Sequence, residues 1–164
     1  MANNTTALAH QLRATQRLAY RLEQAIEVLR PHFPLDPEQF DPDMLPVEVA
    51  MGLDAFRTRF ADLQDMLGRT TFRSLARADE DETSGQELTT RERIALMERR
   101  GILDAAQWRQ IREVRNQFAH EYPDDHSEKA ANLNAAWQLT PPLLSVAQRC
   151  AQYAQDKHGV TSCD

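Results

Sequence analysis

Eight consecutive residues carry most of the chemistry in this chain: Arg115-Asn116-Gln117-Phe118-Ala119-His120-Glu121-Tyr122. A guanidinium, a carboxamide, an imidazole and a phenol crowd together, and Pro123 closes the stretch. On a helix, Asn116 and His120 stand at i, i+4 and share a face. Arg115 lies about 140° round from His120, within reach of a long side chain. Cleaving RNA without a metal needs a base for the 2′-hydroxyl, an acid for the leaving 5′-oxygen, and positive charge for the phosphorane-like state. Histidine titrates near neutral pH without help. Arginine supplies fixed charge and paired donors to phosphate oxygens. Asn116 can donate to the same phosphate or hold the imidazole. One histidine is too few for both proton transfers, so a two-fold dimer that sets two copies of the stretch face to face completes the set.

The elements that position this stretch are helical. Leu8, Leu12, Thr15, Leu18 or Ala19, Leu22, Ala25 or Ile26 and Leu29 make one stripe over residues 7–30, and Pro31 and Pro34 stop it. Residues 31–46 hold five prolines and an acidic run, and they form a loop ordered by Phe33, Leu35 and Phe40. Over residues 47–77, Val49, Leu53, Phe56, Phe60, Leu63 and Leu67 step by four and three, as in a helix packed nearly antiparallel to a neighbour. Gly68 and Thr70-Thr71 weaken or bend it. Residues 79–87 form a charged loop.

Thr89 and Glu92 make a capping box, and Gly101 is placed to end that short helix. Asp104 caps the next one, with Gln107 closing its box and Leu103 against Trp108 as a staple. This helix runs to about His120, because Pro123 disfavours helical geometry at Tyr122. Asp125 or Ser127 caps a last helix over about 128–157 that buries Leu133, Trp137, Thr140, Leu144, Ala147, Ala151 and Ala154, with a kink expected at Pro141-Pro142. Residues 158–164 read as a frayed tail. The expectation is one all-α domain over residues 1–164, an antiparallel bundle of about five helices.

Composition narrows the function classes. The chain has 164 residues and a net charge of −6, which argues against a general nucleic-acid binder. Between Arg91 and Arg115, however, seven arginines outnumber four acids. Those from 91 to 112 read as a solvated face. There is no apolar run long enough to span a membrane and no apolar signal core, so a cytoplasmic location is expected. Cys150 and Cys163 are not in paired spacing, and the histidines show no zinc-ligand pattern. No metal or other cofactor is expected. His10, His32, His126 and His158 read as surface residues, with His126 of interest for its closeness to His120 in sequence.

Arg-Asn-Gln-Phe-Ala-His resembles the Arg-x4–6-His motif of the HEPN superfamily, in which a polar residue, often Asn, follows the arginine. With Tyr122 the pattern becomes Arg-x4-His-x-Tyr, similar to the HepT toxins of the HepT–MntA toxin–antitoxin type. The resemblance implies a HEPN-like helical bundle, a homodimer with a composite cleft, and metal-independent endoribonuclease activity on RNA. It implies Arg115, Asn116 and His120 as the catalytic set. It also implies a nucleotidyltransferase (MntA-like) antitoxin as partner, and Tyr122 as the residue that partner modifies with AMP. Two other classes compete: a catalytically inactive HEPN subunit that pairs with a nucleotidyltransferase, and a helical interaction protein.

Overall fold

A computed structural model describes residues 2–120 and 125–161. Helix α1 spans Ala2–Leu29. Helix α2, Val47–Met66, runs through a π-helical turn at Leu67–Thr71 into α3, Phe72–Ala78, as one interrupted rod. Helices α4, Thr90–Arg99, and α5, Ala105–Gln117, form a tight corner, and α6 covers His126–His158. These five rods form an all-helical bundle around one contiguous apolar core, with no strand among the described residues.

The α1 stripe buries Leu8, Leu12, Thr15, Leu22 and Leu29 as the spacing predicts. The helix starts earlier than predicted. Nothing in its first residues opposes helix, and Asn4 donates to the Arg77 carbonyl at the end of α3. Contacts descend along α1 as they ascend along α2 and α3. Leu29 faces Gly52, and Arg59 donates to the Arg21 carbonyl at 2.8 Å. Gln11 reaches Thr70 at 2.9 Å. The two rods are therefore antiparallel.

The bend foreseen at Gly68 and Thr70-Thr71 takes the form of the π turn. The Phe72 amide donates to the Leu67 carbonyl, five residues back. Hydroxyls of Thr70 and Thr71 both reach the Met66 carbonyl, and a buried hydrogen bond of 2.9 Å joins Thr71 to Thr15 of α1. Such turns form where side chains or a neighbouring element satisfy the groups that a wider helix releases.

The proline-rich loop is ordered by the residues the sequence singles out. Phe33 stacks on Trp137 with centroids 4.1 Å apart and meets Phe56 edge-on. Leu35 and Phe40 are buried, and the Asn134 carboxamide bonds both the amide and the carbonyl of Leu35 at 2.8 Å.

The predicted N-caps form, with the reciprocal box present at α4 and only its Asp104 half at α5. Thr89 and Glu92 exchange the reciprocal bonds of the capping box, and Gly101 has φ +71°. Asp104 accepts from the Gln107 amide at 2.7 Å, while Glu98 of α4 accepts from the Ala105 amide. Asp125 caps α6 through the Glu128 amide. Helix α6 is continuous across Pro141-Pro142. Its buried stripe centres on Ala136, Leu143, Val146 and Cys150, with Trp137, Leu144 and Ala151 only partly covered. Small residues at the centre admit the close approach, and Trp137 serves the flank as the platform for Phe33.

Three expectations need correction. Helix α5 ends at Gln117, three residues short of His120. The amides of Ala119 and His120 turn back to Asn116 and Gln117, while Phe118 swings its ring edge-on to Phe60, 5.9 Å away. Arg93 and Arg100 are not solvated. Arg93 is buried against Glu82 through two bonds of 3.0 Å, and Arg100 pairs with Asp79 at 2.6 Å and with Asp81. The C-terminal segment is not frayed at its start. Asp79, with a carboxylate closed to solvent, receives Tyr153 at 2.9 Å, Lys157 at 3.1 Å and His158 at 2.6 Å. Gly159 then ends the helix at φ +64°, and Val160 is buried. Residues 162–164, including Cys163, lie outside the described residues.

Burial pushes the Asp79 carboxyl up, but the hydrogen bonds from Tyr153, Lys157 and His158 and the charge of Arg100 outweigh it and hold it below its ordinary range. A carboxyl lowered in the folded state adds stability above its unfolded pKa and loses it as pH falls. The stability gap between the parent and Asp79→Asn should therefore narrow below about pH 4, read by urea denaturation at a series of pH values. Glu82→Ala should destabilise the fold by about 3–5 kcal/mol by leaving Arg93 buried without its carboxylate, measured the same way near neutral pH.

Candidate functional site

Arg115 and Asn116 leave α5 on the side that faces the π turn. They wall a cavity of about 510 Å³ together with Gln64, Asp65 and Gly68 on one side and Arg112 on the other. Three more arginines, Arg69, Arg73 and Arg93, complete its charged lining. Trp108 forms part of the wall, its ring packed against Phe72 and 3.4 Å from where a Cβ on Gly68 would stand. The local sequence explains the arrangement. The π turn carries Gly68 past the indole and leaves Arg69 exposed.

The arginines of this cleft are not equivalent. Arg93 is neutralised by Glu82, and Arg73 lies 3.3 Å from Glu82 and 3.5 Å from Glu87. Arg115 is half-buried, and its Nη2 lies 2.6 Å from Asp65 Oδ2. Its Nε–H is enclosed and finds no acceptor among the described residues. Arg69 and Arg112 are exposed and pair with no carboxylate among the described residues. An enclosed donor beside two unpaired guanidiniums is an environment that favours a bound anion, and the forks suit phosphate or carboxylate oxygens.

The structure brings Arg115 and Asn116 to the cleft but does not place His120 in its wall. His120 is exposed in the turn after α5. The shared helical face of Asn116 and His120 is lost, because the helix has ended before His120. Tyr122 lies outside the described residues. His126 stands elsewhere, 3.8 Å from Asp41 beside a smaller cavity under the proline-rich loop. His158 is a buried-carboxylate partner and not an ordinary surface residue. Among the described residues, no three His, Cys, Asp or Glu side chains gather where they could hold a metal ion. Burial pushes the Cys150 thiol far above its ordinary range, which leaves it inert as a nucleophile.

Asp65 and Arg69 were not singled out by spacing. The signal available was the Gly68–Thr71 interruption, which marks where the α2 rod changes its hydrogen-bond pattern. Since Asp65 competes with any anion for Arg115, Asp65→Asn should tighten inorganic phosphate binding by about 1 kcal/mol, roughly fivefold, in calorimetric titration. Weaker binding would instead assign Asp65 to holding Arg115 in place. Among the described residues, no helix is long and apolar enough to cross a membrane. No protein-family model, curated protein or solved structure matches the chain.

Proposed function

We propose that this chain is a metal-independent endoribonuclease of the HEPN, HepT-like toxin kind, acting on cytoplasmic RNA as a two-fold homodimer. The observation that carries this reading is the seat of Arg115 and Asn116 in an arginine-rich cleft with an enclosed, unsatisfied guanidinium N–H. In this mechanism the guanidinium of Arg115 and the amide of Asn116 grip the non-bridging oxygens of the scissile phosphate. A base removes the proton of the 2′-hydroxyl as its oxygen attacks phosphorus. An acid gives a proton to the 5′-oxygen as the P–O5′ bond breaks. His120 supplies the imidazole of the motif, the side-chain type suited to either role. Two copies of His120, one from each protomer, share the two transfers. Its position in an exposed turn suits a group that meets a partner across a two-fold axis.

Regulation follows the same resemblance. A nucleotidyltransferase antitoxin would transfer AMP from ATP to the phenol oxygen of Tyr122, releasing pyrophosphate and placing a bulky anion two residues from His120.

A second reading has its own support. The Arg115–Asp65 pair and the absence of His120 from the cleft wall also fit a nuclease-inactive subunit that pairs with a nucleotidyltransferase. Cleavage of RNA in EDTA separates the two. Arg115→Ala and His120→Ala should each lower the rate by at least about 10²-fold, and mixed dimers of the two variants should recover part of it. Parental protein that cleaves no RNA, with or without EDTA, would move the conclusion to the inactive subunit.

A further inference from the structure

A second groove, of about 530 Å³, runs between α4 and α5. It shares Thr90, Ile94, Trp108 and Arg112 with the first cleft, so the two adjoin, with Arg112 at the divide. Its charged lining is Arg91, Arg109 and Arg112 against Glu98, and Glu98 already accepts the Ala105 amide at 2.8 Å.

Pairing separates this surface from the arginines that surround Asp65, Asp79, Glu82 and Glu87. Arg73, Arg77, Arg93, Arg100 and Arg115 all contact carboxylates. Arg69, Arg91, Arg109 and Arg112 are exposed, and none of them has an ion pair among the described residues. In a chain of net charge −6, four uncompensated guanidiniums along adjoining grooves concentrate positive potential. They are also ordered. Arg109, Arg112 and Arg115 repeat at i, i+3 along one ridge of α5, about 4.5 Å of rise per step, and Arg91 faces them from α4 across the second groove.

We propose that the α4–α5 groove is a track for the phosphate backbone of single-stranded RNA, leading from the Arg115 cleft past Arg112 to Arg109 and Arg91. This rests on the nuclease reading for the identity of the polymer. A line of guanidiniums suits repeated phosphates better than one compact anion, which the first cleft alone would hold. The only tryptophan of the groove is buried, with 1% of its surface exposed. No base can stack on its face, so recognition is of the backbone and independent of sequence.

The test uses the parental protein and a fluorescent 2′-O-methyl RNA 12-mer, which lacks the attacking hydroxyl and stays intact. Binding is followed by anisotropy across a salt series. Arg91→Gln/Arg109→Gln should bind about tenfold more weakly, and its log K against log salt slope should be shallower by about 1.4, the loss of two phosphate contacts on a single strand. Arg30→Gln, at the far end of α1, should match the parent. The double variant should cleave a dinucleotide at the parental rate and an unmodified 12-mer more slowly, since only the longer substrate reaches the track. Unchanged affinity and slope in a double variant of parental helical content overturns the track and leaves the nuclease reading standing. Tighter binding of a duplex than of the single strand also overturns it. RNA binding that depends on Arg91 and Arg109 without cleavage of any RNA by the parent upholds the track and overturns the nuclease reading.

Discussion

The buried pair between Glu82 and Arg93 organises the part of this molecule that holds the arginine-lined cleft. A bare carboxylate or guanidinium at such depth would be prohibitive. The two forks meet at 3.0 Å, and a further bond from Arg93 to the Leu88 carbonyl meets the desolvation with hydrogen bonds as well as charge. Because Glu82 sits in the loop after α3 and Arg93 in α4, the pair ties α4 to the α2–α3 rod through a segment with little apolar surface of its own. The same carboxylate lies beside Arg73. It therefore decides which cationic groups around the cleft are spent inside the protein and which face outward.

A second ionic centre has the complementary task. Asp79 ends α3 and gathers Arg100 from the α4 terminus with Tyr153, Lys157 and His158 from the end of α6. Two cations lie over the Tyr153 ring, Arg100 at 5.3 Å and Lys157 at 5.5 Å from its centroid. Apolar stripes bring the rods together, and these two acidic residues of the 79–87 loop fix how the ends meet. A sequence that looks like a solvated acidic turn thus supplies two anchors of the bundle.

What the sequence disclosed, and what it hid, divides by range. Stripes such as Val49–Leu67 and the caps at Thr89, Asp104 and Asp125 depend on neighbours a few residues away, and they could be placed from spacing alone. The α6 partners of Asp79 lie 74 to 79 residues away and the partner of Arg115 fifty away, so no local pattern announces them. The end of α5 shows the limit of a local rule. Pro123 constrains Tyr122, but the helix yields earlier: Phe118 keeps helical geometry and its bond to Val114, and the amides of Ala119 and His120 then tighten to partners three residues back. Arg115 and Asn116 keep the faces that helical spacing gives them, because they sit inside the helix, and both line the cleft. His120 was misplaced on the helical face because its backbone had already left it. Asp65 went unnoticed, since an aspartate three residues before a glycine carries no signal until the chain is folded.

The π turn at Leu67–Thr71 makes length itself a constrained quantity. One extra residue per turn advances the phase of everything after it by about 100°. With that residue present, Phe72 and Leu75 face the core and Arg69 faces the cleft. Loss of a single codon here would straighten the rod and rotate α3 by the same angle, swinging Arg73 and Arg77 away from Glu87 and carrying Asp79 out of its pocket. Gain or loss of a residue in the exposed turn at Glu38 and Gln39 would move no such register. The history of this chain should therefore admit changes of length in that turn and almost none between Phe60 and Leu75.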